Sequence, residues 1–239
     1  WAVACLGIAA CSLALAADPP PKHFGRDRDV DIEHLKLELS IDIPKERVEG
    51  AAELTVRGIV ASASSATFDA VRLDVARVSV DGRAAAHDAD GKSLRVTLDP
   101  PLLRDEARTI RVEYSVTRPR NGMYFVHGPG ARRERDEAWS QGETEENRSW
   151  FPVHDAPTER LTSESLITLA EPLQVVGNGR LLTVTAAGPG RRTFHHRLDF
   201  PHVPYLVSVA VGDWARKTGE WEGVELTYQV PKAREPDMD

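Results

Sequence analysis

Strict alternation of apolar and polar residues marks the first clear segment of the chain. Leucine or isoleucine occupies positions 35, 37, 39, 41 and 43, and polar residues fill most of the positions between them. A period of two predicts a half-buried β-strand with one wet face. Further apolar runs predict strands near 48–56, 68–80, 94–98, 110–116, 166–169, 173–176, 181–185, 193–198, 205–211 and 224–230.

Turn signals separate these runs at short intervals. Asp81-Gly82, Asp90-Gly91 and Asn121-Gly122 are typical of hairpin turns, because glycine tolerates a positive φ. Short strands with frequent turns predict an all-β sandwich or curved sheet. The pattern also predicts a small-residue loop at 61–65, a strand break at Pro100-Pro101 and single helical turns at 134–138 and 158–164.

Length and charge narrow the class of protein. The chain has 239 residues, enough for one large β domain or two small ones. Its formal net charge is −7. Nucleic-acid binding needs a basic face, so this composition argues against a nucleic-acid partner.

The opening segment, residues 1–17, is uncharged, apolar and rich in alanine and leucine. It is too short to span a bilayer comfortably, so we expect no stable membrane span. It ends in Ala14-Leu15-Ala16, which suits the cleavage site of a secretory signal peptide. We therefore predict a signal peptide at 1–17, a proline-rich tether at 18–30 and export to the periplasm or the extracellular space.

Two alternatives stay open for this opening segment. Residues 8–11 resemble a lipoprotein box with Cys11 as the lipidated residue, but the apolar residues after Cys11 favour plain secretion. The segment could also form a buried N-terminal helix. Trp1 stands where methionine is usual, so we expect a fragment or a processed product. Cleavage after residue 16 or 17 would remove both cysteines, Cys5 and Cys11, and with them any disulfide.

The stretch 139–157 departs from the strand pattern. It combines two tryptophans, three glutamates, an arginine, a histidine and two prolines in one irregular segment. Long irregular segments between strands are uncommon unless they carry a function. Its most distinctive pieces are Ser140-Gln141-Gly142-Glu143, Asn147-Arg148, Trp150-Phe151-Pro152 and Asp155-Ala156-Pro157.

In this order and spacing, these pieces resemble the segment that closes the N-terminal domain of M1-family zinc aminopeptidases, in particular the secreted bacterial type. Val153 and Ala156 stand where the family often has cysteine and glutamate, and both differences look like packing changes. The resemblance implies a saddle-like antiparallel β-sandwich over 31–231 and the start of a linker at 232–239. Further matching pieces lie at 122–125, 175–179, 192–194, 199–207 and 211–213.

The zinc motif of that family is missing from the chain. M1 enzymes bind zinc through His-Glu-x-x-His on a helix and a distal glutamate. None of the eight histidines stands in such a motif, and the adjacent His195 and His196 point to opposite faces of a strand. We therefore assign no catalytic and no metal-binding residue here. Zinc is expected in a catalytic domain that this chain lacks, and the chain alone is expected to be inactive.

The resemblance implies substrate-binding roles for Gln141 and Glu143. An exopeptidase must recognise a free α-amine, which is largely cationic near neutral pH and needs a carboxylate partner in a partly dry pocket. Glu143 matches the family's acidic residue from this domain, and Gln141 matches the glutamine that lines the first side-chain pocket. In an extended segment both would face the same cleft, with Gly142 allowing a close approach. The expected partners are a peptide N-terminus and the protein's own C-terminal catalytic domain.

The alternative function is a stand-alone exported β-sandwich module that binds or scaffolds without catalysis. His154 and Asp155 could suggest a catalytic pair, but no nucleophile motif of the Gly-x-Ser-x-Gly kind accompanies them. Trp139, Trp150 and Phe151 could stack on sugars, or they could anchor the segment to the sheet. We expect anchoring for at least two of the three.

Overall fold

The computed structural model describes residues 27–127 and 136–238, and the predicted signal peptide and most of the tether lie outside these residues. The regular structure of the described part consists of strands and three short 3₁₀ helices, at Asn147–Ser149, Pro204–Leu206 and Lys232–Met238. The strands are β1 (Val30–Asp42), β2 (Arg47–Gly58), β3 (Ser62–Asp69), β4 (Asp74–Val80), β5 (Arg83–Ala84), β6 (His87–Ala89), β7 (Ser93–Leu103), β8 (Ala107–Thr117), β9 (Gly122–Val126), β10 (Glu137–Gln141), β11 (Leu161–Ala170), β12 (Gln174–Gly177), β13 (Arg180–Ala186), β14 (Arg191–His202), β15 (Val209–Gly212), β16 (Trp214–Trp221) and β17 (Val224–Pro231).

Three sheets and one separate hairpin organise these strands. The large sheet has the order β13-β14-β11-β1-β2-β8-β4-β5, and the smaller sheets have the orders β12-β15-β10-β9 and β3-β7-β6. β16 and β17 pair only with each other. The predicted all-β architecture of antiparallel sheets is confirmed, with one difference. β1 and β11 run parallel, and the long connection between them includes five of the seven strands of the two smaller sheets, β3, β6, β7, β9 and β10.

One continuous hydrophobic core joins the three sheets. The alternating residues Leu35, Leu37 and Leu39 of β1 are buried, as the pattern predicts, and they share a cluster with Phe68 of β3 and Val211 of β15. A single core shared by all three sheets fixes the small sheets against the large one. No helix within the described ranges is long and apolar enough to cross a membrane.

Two predictions about β3 and β7 are wrong. Residues 62–65, predicted as part of a loop, form the first half of β3, because Ala63 and Ala66 are buried in the core and their small side chains suit a close approach. β7 also continues through Pro100-Pro101. The β3–β7 register shifts at this point, where Ala63 pairs with Leu102 and the next pairing joins residues 65 and 97. Prolines are tolerated in such an irregularity because no ladder hydrogen bond is required there.

The predicted helical turns are also wrong where the structure describes them. Residues 137–141 form β10, and β11 begins at Leu161. The predicted strand at 205–211 is shorter than expected, because Pro204 opens a 3₁₀ turn and only Val209–Gly212 pairs as a strand. β16 was not predicted, since its sequence is mostly polar and exposed.

Candidate functional site

Gln141 and Glu143 lie at the exposed end of β10. Gln141 is the last residue of that strand and pairs with Gly122 of β9, whereas Glu143 begins a turn over residues 143–146. The prediction that both stand on one extended segment is therefore wrong, since the extended backbone ends at Gln141. Both side chains are exposed, and neither has a hydrogen-bond or ion-pair partner among the described residues.

A buried amide holds the backbone between these two residues. Gly142 lies flat against Asn147, so close that a Cβ atom would come within 2.5 Å of Asn147 Nδ2 and 2.6 Å of the Tyr205 carbonyl oxygen. The Asn147 amide is fully buried and donates to the carbonyl oxygens of Pro204, at 2.7 Å, and Val207, at 3.0 Å. Asn147 therefore clamps residue 142 to the 204–207 turn.

The other side of the turn packs on β9. A Cβ atom at Gly122 would come within 2.2 Å of the Glu146 carbonyl oxygen, so glycine is required for this close approach. The Tyr124 hydroxyl donates to Glu146 Oε2 at 3.1 Å. Burial raises the pKa of Tyr124, and the Glu146 carboxylate raises it further. The phenol thus stays protonated and braces the turn that carries Glu143.

Trp150 and Phe151 anchor the segment in the core, as expected for two of the three aromatic residues. Both are completely buried, and their rings meet edge to face with centroids 4.6 Å apart. The indole Nε1 of Trp150 donates to Asn147 Oδ1 at 2.7 Å, and the buried Tyr114 hydroxyl donates to the Trp150 carbonyl oxygen at 2.8 Å. The buried indole N–H of Trp150 and the buried hydroxyl of Tyr114 are therefore both paired, as buried polar groups require.

Arg148 ties the segment to β3 through carboxylates. Its guanidinium reaches Glu145 Oε2 at 2.5 Å, Asp155 Oδ2 at 3.4 Å and Asp69 Oδ1 at 3.5 Å, and its backbone N–H donates to Asp155 Oδ2 at 3.0 Å. Burial raises the pKa of Asp155 to about 6, the bonds and charge of Arg148 oppose this rise, and Asp69 adds to it. Arg148 is thus the main counter-charge of a buried carboxyl group.

The His154 ring is held by groups other than Asp155, whose carboxylate accepts from Arg148. The His154 ring lies 2.9 Å from Glu159 Oε2 and 2.7 Å from the Thr67 carbonyl oxygen, and Arg28 contacts the same Glu159 atom at 2.6 Å. Burial raises the pKa of Glu159, but His154 and Arg28 more than offset this rise and leave it below its usual value. Through Glu159, the contacts of Arg28 and His154 join the residues just before β1 to the end of the stretch 139–157.

The described residues do not fit a zinc site. No group of three or more histidine, cysteine, aspartate or glutamate side chains within 27–127 and 136–238 is arranged to hold a metal ion. His195 and His196 of β14 alternate between half-exposed and buried positions, as the strand pattern predicts. The residues that the structure describes therefore supply no ligand set for the family's metal.

Several site residues gained their roles only from the structure. Asn147 and Arg148 belong to the quoted motif, but the sequence does not tell which groups they contact. The sequence does place an asparagine three residues before a tryptophan. One 3₁₀ turn brings the side chains of such a pair within hydrogen-bonding distance, so this spacing could have indicated the bond between Asn147 and Trp150. Tyr124 had no such signal, because its partner Glu146 is distant in the sequence.

The fold and the site together define a β-rich domain that presents polar side chains on a core-anchored turn and lacks a metal site in its described part. The family model of the Peptidase M1 N-terminal domain matches residues 31–206, well over half of the chain. The chain belongs to this family.

Individual relatives agree with the family match. Leucine aminopeptidase 2 of Vanderwaltozyma polyspora is 24% identical over 197 residues, which cover 80% of this chain and 30% of the relative. Transcription initiation factor TFIID subunit 2 of Danio rerio is 29% identical over 134 residues, which cover 52% of this chain and 11% of that protein. The chain thus spans less than a third of the length of these curated relatives.

The fold also matches a solved structure. The M1 zinc metallopeptidase of Deinococcus radiodurans superposes with a TM-score of 0.72 at 22% identity, over 84% of this chain and 47% of that chain. At this identity the likeness shows the shared fold alone.

Proposed function

We propose that the chain is the N-terminal, substrate-contacting domain of an exported metalloaminopeptidase that removes N-terminal residues from peptides. Family membership supports this proposal, as do the names of the relatives, leucine aminopeptidase 2 and M1 zinc metallopeptidase. In this proposal zinc and the catalytic groups belong to the protein's own C-terminal catalytic domain. The described part contributes contacts to the peptide.

The observation that carries the proposal is the exposed pair Gln141 and Glu143 on a rigid support. Glu143 has no partner among the described residues, yet Asn147, Gly122 and Gly142 fix the backbone around it. A carboxylate without a partner on a fixed backbone is suited to bind a cationic ligand group, because little conformational entropy of the backbone is lost on binding. The free α-amine of a peptide is such a group. The amide of Gln141, which both donates and accepts, is suited to the first side-chain pocket.

Replacement of Glu143 by alanine is expected to lower kcat/KM of the full-length gene product by about ten- to a hundredfold. Hydrogen bonds to charged groups contribute on the order of 1.5–3 kcal/mol, which corresponds to this range. Zinc content should stay unchanged, because the residue does not contact the metal in this proposal. Gln141→Ala should act mainly on the preference for the first side chain. Both are measured on a panel of aminoacyl substrates.

Two controls accompany this measurement. Glu49→Ala removes another exposed glutamate, on β2, and should leave kcat/KM unchanged within about twofold. The chain of 239 residues, purified alone with added zinc, should show no aminopeptidase turnover, whereas the full-length protein should show turnover that a chelator abolishes. If Glu143→Ala changes every kcat/KM by less than about twofold, the assigned substrate role is wrong and the segment is structural.

Export is a further part of this proposal, and the apolar segment 1–17 with its Ala14-Leu15-Ala16 site supports it. N-terminal sequencing of the protein recovered outside the inner membrane is expected to give a mature start at residue 17 or 18. A lipid-modified Cys11 at the new terminus would instead establish the lipoprotein alternative. Recovery of the uncleaved chain from the cytoplasm alone would contradict export.

A second candidate function is an exported scaffold or binding module without catalysis. The match to TFIID subunit 2 favours it, because the name of that relative is not that of a peptidase. The coding sequence beyond residue 239 discriminates the two functions. A His-Glu-x-x-His motif there supports the aminopeptidase, and a catalytic-type domain without that motif supports the module.

A further inference from the structure

Glu146 holds the turn that carries Glu143 through three separate groups. Its backbone N–H donates to the Gly142 carbonyl oxygen at 2.9 Å, and its carbonyl oxygen accepts from the Ser149 N–H at 3.0 Å. Its carboxylate oxygen Oε2 accepts from the Tyr124 hydroxyl at 3.1 Å. The two backbone bonds are local to the segment, whereas the bond to Tyr124 reaches a neighbouring strand. The Tyr124 hydroxyl therefore ties the Glu146 side chain to the four-stranded sheet.

The turn is held at both of its ends. The hydrogen bond between Glu146 and Gly142 closes the turn around Glu143. Asn147 packs against Gly142 at one end, and Tyr124 holds Glu146 at the other. A hydrogen-bonded turn restricts the backbone torsions between its ends. The position of the Glu143 backbone is therefore set by these two supports.

The phenol ring that supplies one of these supports has a fixed orientation. Tyr124 of β9 pairs with Trp139 of β10, and their rings stack with centroids 6.0 Å apart and an interplanar angle of 24°. The two strands are neighbours in the four-stranded sheet. A functional group on a packed strand is placed more accurately than one on a loop. The hydroxyl can therefore hold Glu146 at a defined position.

The three glutamates of the turn differ in their partners. The carboxylate of Glu145 pairs with Arg148 at 2.5 Å, and that of Glu146 accepts from Tyr124. Glu143 is exposed and has no partner among the residues that the structure describes. Glu143 is therefore the carboxylate of this turn that is available to an ammonium group, because the other two are engaged in charge-assisted bonds.

From these contacts we infer that Tyr124 is a positioning residue for the proposed reaction. Its hydroxyl acts through Glu146 and sets the position of the Glu143 carboxylate that receives the α-amine of the peptide. Glu146 serves as a hydrogen-bond acceptor in this assignment and does not bind the amine itself. The inference rests on the proposed aminopeptidase function and adds to it the means by which the amine site is held in place.

The test measures kcat and KM of the full-length gene product with leucine p-nitroanilide. Tyr124→Phe removes the hydroxyl and keeps the ring. It should lower kcat/KM by about fivefold, mainly through KM, because a misplaced Glu143 binds the amine more weakly. In the Glu143→Ala background the same substitution should change kcat/KM by less than about twofold, because the residue through which it acts is gone. Equal effects in both backgrounds would overturn the inference.

Two variants of Glu146 separate its role as an acceptor from its charge. Glu146→Gln keeps a side-chain oxygen that accepts from the Tyr124 hydroxyl, so kcat/KM should stay within about twofold of the wild-type value. Glu146→Ala removes the acceptor and should lower kcat/KM as much as Tyr124→Phe does. The double variant should be no worse than either single variant. Equal losses for Glu146→Gln and Glu146→Ala would show that the charge is required, and would refute the positioning role.

Tyr114→Phe is the matched control, because it also removes a hydroxyl that bonds to this part of the chain. The Tyr114 hydroxyl donates to the Trp150 carbonyl oxygen, which lies outside the turn that carries Glu143. This substitution should lower the melting temperature but leave kcat/KM within about twofold. If Tyr114→Phe and Tyr124→Phe lower kcat/KM equally, the effect is a general loosening of the segment and the inference is overturned.

The outcomes also separate this inference from the function on which it rests. If Glu143→Ala lowers kcat/KM but Tyr124→Phe does not, the positioning role is refuted and the aminopeptidase proposal stands. If Glu143→Ala has no effect, the proposed function itself fails. A fivefold loss for Tyr124→Phe that disappears in the Glu143→Ala background supports both.

Discussion

Replacement of Asn147 by alanine is expected to lower the free energy of unfolding by roughly 3–5 kcal/mol. The substitution removes the partner of the buried indole N–H of Trp150 and that of the Val207 carbonyl oxygen. It also removes one of the two hydrogen bonds of the Pro204 carbonyl oxygen, which still accepts from the Val207 N–H. A buried group without a partner costs about 1–3 kcal/mol, and partial relaxation or entry of water reduces the sum. Chemical denaturation of the chain, followed by tryptophan fluorescence, measures the loss.

Asn178 provides a matched control for this substitution. It holds the same turn region, donating to the Leu206 carbonyl oxygen at 2.8 Å and accepting from the Ser208 N–H at 2.6 Å, but it is only half-buried. Water can replace its contacts, so Asn178→Ala should cost only about 1 kcal/mol. Equal losses for Asn147→Ala and Asn178→Ala would contradict the assignment of Asn147 as a buried clamp.

Replacement of Arg148 by methionine should destabilise the chain by about 3 kcal/mol at pH 7.5, because it leaves the buried Asp155 carboxylate without its main counter-charge. The size of the loss should depend on pH. Burial already raises the pKa of Asp155 above its ordinary value of 3.8, to about 6, and the pKa should rise further when Arg148 is removed.

The sign of this pH dependence follows from proton linkage. The folded state binds the Asp155 proton more tightly than the unfolded state, so this group's contribution to stability is fully present below pH 3.8 and is lost as the pH rises through about 6. The penalty for losing Arg148 should therefore be about half as large at pH 5, where the Asp155 carboxyl group is mostly protonated, as at pH 7.5, where the wild-type protein holds it ionised beside Arg148. Denaturation curves at both pH values measure this difference.

Arg160→Met serves as the control for Arg148→Met. Arg160 is exposed just beyond the stretch 139–157, and its guanidinium donates to the carbonyl oxygens of Pro157 and Glu159. Its loss should be below about 1 kcal/mol at both pH values. A pH-independent loss for Arg148→Met would show that the guanidinium contributes packing rather than charge.

The strands were predictable wherever one face is buried and the other is wet. β1, β2 and β8 show the period of two, and their positions agree with the prediction to within a few residues. The prediction failed where local composition and tertiary contacts disagree. β3 is rich in serine and alanine, which alone favour a loop, but core contacts on one face make it a strand.

The residue types of the candidate site were also predictable, but their arrangement was not. Gln141 and Glu143 are exposed as the predicted role requires. Their support is built from residues far apart in the sequence, since Asn147 bonds to carbonyl groups at 204 and 207. Such pairs carry no periodic signal, because a hydrogen bond across the fold imposes no spacing on the sequence.

The sequence by itself determined the all-β class, the turns with Gly82, Gly91 and Gly122, and the resemblance that led to the family. These features follow from local physics, namely alternation against a core and glycine's access to positive φ. The tertiary structure decided that β1 and β11 pair in parallel, that Glu143 stands in a turn, and that Trp139 stays exposed whereas Trp150 is buried. These features depend on which strands become neighbours in the fold. The pairing of strands is determined by how the apolar side chains of all three sheets are buried together in one core.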